Sequence, residues 1–210
     1  MPRKDKKPSS NRKSVMEKIV LSGKQVHLRD WILTDLDEFS YWLQPGHRWQ
    51  ELDGPYYKAD NTPESIPRLI ERIKTRIETN NLSIPRQNLI IADPLHNGLI
   101  GQVSRYWISE ETNWLAAGIV IYNPDLWAKG YGMAALGLWT DYLFNAFPHI
   151  VRLDLQTWSG NAGMMRLAIK LGYQLEARFR NARIAKGDYY DALGYGILRE
   201  EWRERYPMGR

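Results

Sequence analysis

Trp127-Ala128-Lys129-Gly130-Tyr131-Gly132 leads straight into a helical stretch from Met133 to Phe147, and an apolar strand ending at Tyr122 comes before it. Gly130 and Gly132 have no side chain to hold a ligand away and can take positive φ, so successive backbone N–H groups can converge on one anion. The helix that follows leaves its first N–H groups unpaired and turns the positive end of its dipole to the same point. Lys129 adds a full charge. The stretch describes a cradle for a phosphorylated ligand.

A Gly-x-Gly alone is weak, because paired glycines also mark ordinary turns, so its surroundings decide. A P-loop is excluded, since no Gly-Lys-Ser/Thr follows the glycines. A dinucleotide fingerprint is a closer rival: Gly130-x-Gly132-x-x-Ala135 has its spacing, and Asp154 stands about twenty residues on, as that motif expects. That motif requires glycines directly at a strand's end, whereas Tyr122-Asn123-Pro124-Asp125-Leu126-Trp127 intervenes here. Too little chain follows to complete a doubly wound sheet.

Working outward, the pattern predicts a single α/β domain. Lys24 to Trp31 reads as a first strand, and Thr34-Asp35-Leu36-Asp37-Glu38 as a capped helix start reaching Leu43. Pro45 to Asn61 reads as a loop, and Pro63-Glu64-Ser65 opens an amphipathic helix with Ile66, Leu69, Ile70, Ile73 and Ile77 on one side, ending near Asn80. Leu89 to Ala92 and Leu99 to Trp107 flank a turn with Pro94 and Asn97-Gly98, and Trp114 to Tyr122 forms a third apolar run. Beyond the glycine helix, Val151 to Trp158 alternates, Ala162 to Leu171 is helical with Gly172 as its stop, and Ala192 to Leu198 supplies a last strand.

Composition agrees with this reading. A chain of 210 residues, 43% hydrophobic, can bury one substantial core, and no apolar run approaches the roughly eighteen residues of a membrane span. With no cysteine, thiol catalysis, disulfides and thiolate metal sites are excluded; His27, His47, His96 and His149 are scattered without ligand spacing, so no metal is expected. No early apolar segment resembles a secretory signal, and a cytoplasmic location is the default expectation. Residues 1 to 18 hold seven basic and two acidic side chains, an excess of five that equals the formal charge of the whole chain. This arm, with Pro, Ser and Asn among its lysines, is expected to be disordered, with weak contact to RNA or the ribosome as an alternative to simple solvation. Met16 offers an alternative start, and residues 19 to 207 form the expected domain.

These residues resemble the GNAT superfamily of acetyl-CoA-dependent N-acetyltransferases, in particular the branch that acetylates ribosomal-protein N-termini. The resemblance spans most of the chain: Val26-His27-Leu28-Arg29-Asp30-Trp31 with Asp35 and Trp42, Leu99-Ile100-Gly101, Gly118-Ile119-Val120-Ile121, Lys129-Gly130-Tyr131-Gly132, Asn161, Leu171-Gly172-Tyr173, Asp188-Tyr189-Tyr190-Asp191 and Glu201-Trp202. It implies a mixed central sheet of about six to seven strands flanked by helices, with two strands splayed around the cofactor. It also implies acetyl-CoA as cosubstrate, a primary amine as acceptor, no metal, and a monomer or homodimer away from membranes.

The resemblance assigns coenzyme A to the gap between the strand of Ile119, Val120 and Ile121 and the strand of Val151 to Thr157. In the family, N–H groups of the first strand hold the pantetheine and polarise the thioester carbonyl. The loop residues Trp127, Ala128, Lys129, Gly130, Tyr131, Gly132 and Met133 would take the diphosphate, and Asn161 matches a family asparagine that contacts the cofactor, with a helix N-cap as its other reading. Arg166 and Lys170 are spaced to meet cofactor phosphates or simply to face solvent.

The chain departs from the family where protons move. Met164 and Ala168 stand where many members have a serine and a tyrosine, Ala116 and Ala117 precede Gly118 where a carboxylate is common, and Trp127 replaces the usual Gln or Arg. A thiol with pKa near 8.5 can leave as thiolate, so an acid is dispensable at moderate cost. The base matters more. An α-amine of pKa about 7.7–8.0 is neutral in roughly one molecule in ten at pH 7, against about one in a few thousand for a lysine side chain. A site without a strong base therefore favours α-amines or other low-pKa amines.

For the acceptor, Trp49-Gln50-Glu51-Leu52-Asp53-Gly54-Pro55-Tyr56-Tyr57 joins acidic groups to aromatic walls, with Trp49, Tyr56 and Tyr57 as binding candidates and an ordinary aromatic-packed turn as the alternative. Glu51, Asp53, Glu110 and Glu111 are the carboxylates able to replace the missing base through water. Asp154, on one strand face with Arg152 and Gln156, reads as a paired structural charge. Besides the transferase, a non-catalytic acyl-CoA-binding module and an RNA-associated protein remain open.

Overall fold

The computed structural model describes residues 18, 20–57, 62 and 64–207. The basic arm, apart from Lys18, lies outside them, as do Pro63 and residues 58–61 of the predicted loop.

Eight strands form one sheet in the order β1-β2-β3-β4-β5-β6-β8-β7. They are β1 (Val20–Ser22), β2 (His27–Arg29), β3 (Asn88–Ala92), β4 (Leu99–Ser109), β5 (Trp114–Ile121), β6 (Arg152–Trp158), β7 (Gln174–Ala185) and β8 (Asp188–Leu198). Five helices accompany them: α1 (Asp35–Leu43), α2 (Ser65–Glu78), α3 (Tyr131–Ala146), α4 (Ala162–Leu171) and α5 (Arg199–Arg205). The two strands beyond the predicted six are β1, three residues long, and β7, whose residues are almost all exposed and so carry no alternation of burial. All strand pairs are antiparallel except β5 with β6.

Period-two alternation divides the core between the two faces of the sheet. Leu89 and Ile91 of β3 join Val103, Leu115, Leu153 and Leu155 under α3, α4 and α5, where Trp139 and Leu143 are fully buried. Their neighbours Ile90 and Ala92 pack on the other face with Leu36 and Phe39 of α1 and Ile66 and Ile73 of α2. Helices α1 and α2 cover only part of that face.

The predicted Thr34 cap is replaced by another device. Thr34 has helical dihedrals and its side chain caps nothing, whereas Asp35 accepts from the Ile32 N–H at 3.0 Å. The same carboxylate takes both Nη groups of the buried Arg29 at 2.7 Å, a bidentate bond that ties β2 to α1. A second buried pair, Arg86 with Asp30, holds the start of β3 against the end of β2.

Candidate active site

Strands β5 and β6 pair only at Leu115 with Leu153, Ala116 with Asp154 and Ala117 with Leu155. On its other side β5 stays paired with β4 as far as Ile121. From Gly118 onward the edge of β5 that faces β6 therefore has no partner strand, and its amide and carbonyl groups border a gap. Four consecutive residues, Ala117, Gly118, Ile119 and Val120, line one cavity together with Gln156, Thr157 and Trp158 of β6. A cavity confined to one face of a sheet touches alternate residues only. Contact with consecutive ones means that it reaches the strand edges, and the expected splay is present.

Both helices that follow this parallel pair start beyond its carboxyl ends. After β5, Trp127 is extended and its indole donates to the Ile121 carbonyl at 2.9 Å, tying the loop to the strand. Ala128 (φ +59) and Gly130 (φ +93) are left-handed on either side of Lys129, a backbone pattern that gathers N–H groups into a concave nest. The first bond of α3 runs from the Ala134 N–H to the Gly130 carbonyl, so the N–H groups of Tyr131, Gly132 and Met133 precede the helical ladder. A Cβ on Gly130 would come within 2.9 Å of Gln25 Oε1 as well as facing an unfavourable φ. Gly132 is less constrained, with Leu167 at an ordinary 3.4 Å. Lys129 and Met133 are exposed at this rim, and the alternating backbone and helix start fit a diphosphate.

After β6, Asn161 caps α4 by accepting from the Met164 N–H at 2.9 Å. Its amide Nδ2 donates to the Leu52 carbonyl at 3.2 Å, and Trp158 Nε1 donates to the same oxygen at 3.0 Å. Asn161 thus performs the N-cap role and also anchors the loop 49–57. Arg166 is exposed on α4. Met164 lines the cleft and Ala168 is fully buried.

The cavity, about 990 Å³, extends from this gap over the part of the sheet that α1 and α2 leave uncovered. The anchored loop supplies Asp53, Tyr56 and Tyr57 to its wall, while Gly54 at φ +60 makes the turn that brings the Tyr57 N–H to the Gly54 carbonyl at 2.9 Å. Asp53 is exposed at the rim of the cleft, and partial desolvation by the surrounding protein moves its carboxyl upward from its ordinary value. Trp49 stands elsewhere. It is buried, donates to the Trp42 carbonyl and packs edge-on against Tyr122 in the core beneath α1.

The other predicted carboxylates are not gathered here. Glu51 is exposed and paired with Lys186 at 2.9 Å. Glu110 and Glu111 sit in the exposed turn between β4 and β5, where the backbone N–H of Glu111 itself, and after it the Ser109 hydroxyl that donates to it, lower the Glu111 carboxyl from its ordinary value. Neither lines the cleft. Asp154 does, and it is paired with Arg152 at 2.8 Å as its strand position suggested; desolvation raises its carboxyl while Trp114 and Arg152 oppose the shift.

Residue-by-residue reading of the sequence missed Gln102, Ser104 and Tyr106 of β4, and Phe179 and Arg183 of β7, all of which line the cleft. The β4 trio carried a signal, since polar side chains at every second position mark one face of an otherwise apolar strand.

Strand edge, nest and helix start together make a cleft that suits a long phosphorylated ligand. The chain matches the profile of the acetyltransferase (GNAT) domain over residues 25–174, and it belongs to that family, whose members carry out acyl transfer with coenzyme A. An uncharacterized N-acetyltransferase, YokL, derived from the SPbeta prophage of Bacillus subtilis strain 168, is 21% identical over 140 residues, covering 67% of this chain and 75% of that protein. An acetyltransferase of the GNAT family from Bacillus anthracis superposes with a TM-score of 0.67 at 17% identity, over 87% of this chain and all of that one. The spermidine N-acetyltransferase of Vibrio cholerae, in complex with CoA and spermine, gives 0.65 at 18% identity over 86% of this chain and 99% of its own. At these identities the structures speak for the fold. Among the described residues no group of His, Cys, Asp or Glu could hold a metal ion, and no helix is long and apolar enough to cross a membrane.

Proposed function

We propose that this chain transfers the acetyl group of acetyl-CoA to the neutral form of a low-pKa primary amine, by direct attack of the amine nitrogen on the thioester carbonyl. The observation that carries this reading is the continuous cavity from the unpaired edge of β5 to the pocket walled by Asp53, Tyr56 and Tyr57. Acetyl-CoA, when bound, supplies the activated acetyl group and a thiol leaving group.

The chain's own residues do the rest. The nest of Trp127 to Met133, with Lys129 beside it, holds the diphosphate through backbone N–H groups. The free edge of Gly118 to Ile121 offers main-chain donors to the carbonyl oxygen where negative charge develops. Asp53 is the carboxylate best placed to take the amine's proton through water, and its raised pKa makes it a stronger base than an ordinary aspartate. Tyr56 and Tyr57 wall the acceptor side of the cleft. Met164 and Ala168 offer no acid, so the thiolate leaves unassisted or takes its proton from water.

This chemistry suits a peptide N-terminus, including that of a ribosomal protein, or a small amine of similar basicity. Release of the coenzyme A thiol, followed with paired acceptors at pH 7, tests it. A peptide α-amine should react at least tenfold faster than the side chain of an N-blocked lysine, with the ratio shrinking as pH rises toward the lysine pKa. Equal rates, or a faster lysine, would overturn the preference. An absence of thiol release with every amine would overturn catalysis itself.

A further inference from the structure

Two arginines line the cleft, and they are held in different ways. Arg152 is enclosed by carboxylates, bonded to Asp154 and to Glu176. Arg183 has no carboxylate within ion-pair distance among the described residues. Its guanidinium lies over the Tyr56 ring at 4.7 Å and near the Tyr57 ring at 5.7 Å. Its Nη groups make only long bonds, 3.3 Å to the Ala182 carbonyl and 3.4 Å to the Tyr57 hydroxyl, and its Nε is buried without a partner. An arginine stacked on aromatic rings is fixed in orientation, and its fork of donors matches a carboxylate.

The fold takes trouble to place it there. Between Phe179 and Arg183 the register of β7 on β8 slips by two residues, so Arg183 stands opposite Tyr190, where uninterrupted pairing would have put it opposite Asp188. Asn181, in the bulge, is left-handed at φ +54. Asp191 holds the bulge closed by accepting from the Asn181 N–H at 2.9 Å and from Arg178 Nε. Its own backbone is bonded to Ser159 beyond β6, which ties the bulge to the strand pair that borders the gap. Bulges beside active sites commonly re-aim a side chain in this way.

Asp53 lines the same cleft as Tyr56 and Arg183. The Tyr56 hydroxyl is raised chiefly by burial, while Arg183 lowers it and Asp53 raises it, so both charges lie close to that ring. One cleft therefore presents a carboxylate and a guanidinium that make no ion pair among the described residues, the guanidinium seated on Tyr56.

We propose that the acceptor carries a carboxylate near its amine, read by Arg183 while Asp53 faces the amine. This rests on the acetyl-transfer reading and narrows it to peptides with an acidic residue next to the N-terminus, in preference to polycationic amines; a free amino acid offers the same carboxylate on a more basic amine and would react through its smaller neutral fraction. Two matched pairs of acceptors separate the sources: alanine against alaninamide, and Ala-Asp-Gly-amide against Ala-Asn-Gly-amide, each compared at equal concentrations of neutral amine. The carboxylate member of at least one pair should show a kcat/KM on the order of tenfold to a hundredfold higher, the size expected of a charged hydrogen bond lost. In Arg183→Gln that ratio should fall to near one, and Arg183→Lys, which keeps the charge without the fork, should lie between.

No preference in the unsubstituted enzyme for either carboxylate, or the same preference in Arg183→Gln, would overturn the proposal. The unsubstituted enzyme gives this answer even if a variant fails to fold. Calorimetric binding of the same acceptors in the presence of coenzyme A reads the charge preference without chemistry. A binding preference with no thiol release would sink the transferase reading and leave the carboxylate site standing; thiol release with no preference would do the reverse.

Discussion

In the proposed reaction, Asp53 is the residue on which function and stability pull in opposite directions. Desolvation places its folded-state pKa above its unfolded one, so the folded chain holds more protons between those two values, and stability falls as pH rises through that window. At neutral pH ionised Asp53 is a cost to the fold. Asp53→Asn should therefore raise Tm at pH 7 while lowering kcat/KM by about a hundredfold, the lower range for loss of a general base. The gain in Tm should vanish below about pH 3.9, where both states are protonated. A pH–rate profile unchanged by the substitution would remove Asp53 from proton transfer. Gly130 tests the other half of the site. Gly130→Val meets both a φ of +93 and Gln25 at 2.9 Å, and should weaken coenzyme A binding by calorimetry at least tenfold, whereas Gly132→Ala should be mild. At this scale the sequence was read unevenly. Asp53, Tyr56 and Tyr57 line the cleft and Trp49 does not, and nothing in nine adjacent residues distinguishes a ring facing a cavity from one filling a core. Glu110 and Glu111 were drawn in by charge alone; that they occupy a hairpin turn away from the cleft depends on the length of β4.

Among elements, local chemistry made some legible and left others hidden. Helix α4 has the predicted bounds, because Asn161 at one end and a left-handed Gly172 (φ +97) at the other are punctuation that needs no tertiary context. Strand β7 was missed because an edge strand with few buried side chains has no apolar period to find. The splay of β5 from β6 is equally silent in sequence, since it is a matter of bonds that are absent, and only the resemblance anticipated it. The loop 49–57 shows how elements share one atom. Trp158 and Asn161, at the end of β6 and the start of α4, both donate to the Leu52 carbonyl, so cofactor gap and acceptor wall are fixed by the same pair. Asn161→Ala should cost about 1 kcal/mol in urea unfolding through loss of the cap. Asn161→Asp keeps the capping acceptor and loses the donor to Leu52. It should unfold close to the unsubstituted chain yet show a severalfold higher acceptor KM. If its KM is unchanged, the anchor does not shape the acceptor wall.

For the whole molecule, the two layers of core are joined by charges as well as by apolar packing. Arg29 with Asp35 and Arg86 with Asp30 come together where β2, α1 and the start of β3 meet. Arg86→Met removes the bidentate guanidinium that holds the buried Asp30 carboxylate, and should cost about 3–5 kcal/mol in equilibrium unfolding. Ligand binding gives the converse test. The cavity borders β4, β5, β6, β7, β8, α4 and the acceptor loop, so a ligand filling it engages most of the sheet in the folded state, with no counterpart in the unfolded chain. Coenzyme A at a hundred times its Kd should then stabilise the fold by about 2.7 kcal/mol. In a chain of this size each kcal/mol moves Tm by roughly 2–4 °C, so the midpoint should rise by about 5–11 °C. At the same ligand concentration Gly130→Val should cut that rise to about half or less, because a tenfold weaker ligand stabilises by only about 1.4 kcal/mol. Asp53→Asn should preserve it, because Asp53 belongs to the acceptor side. A rise undiminished in Gly130→Val would mean that the ligand is held without the cradle from which the fold was read, and the assignment of the diphosphate to the start of α3 would be withdrawn.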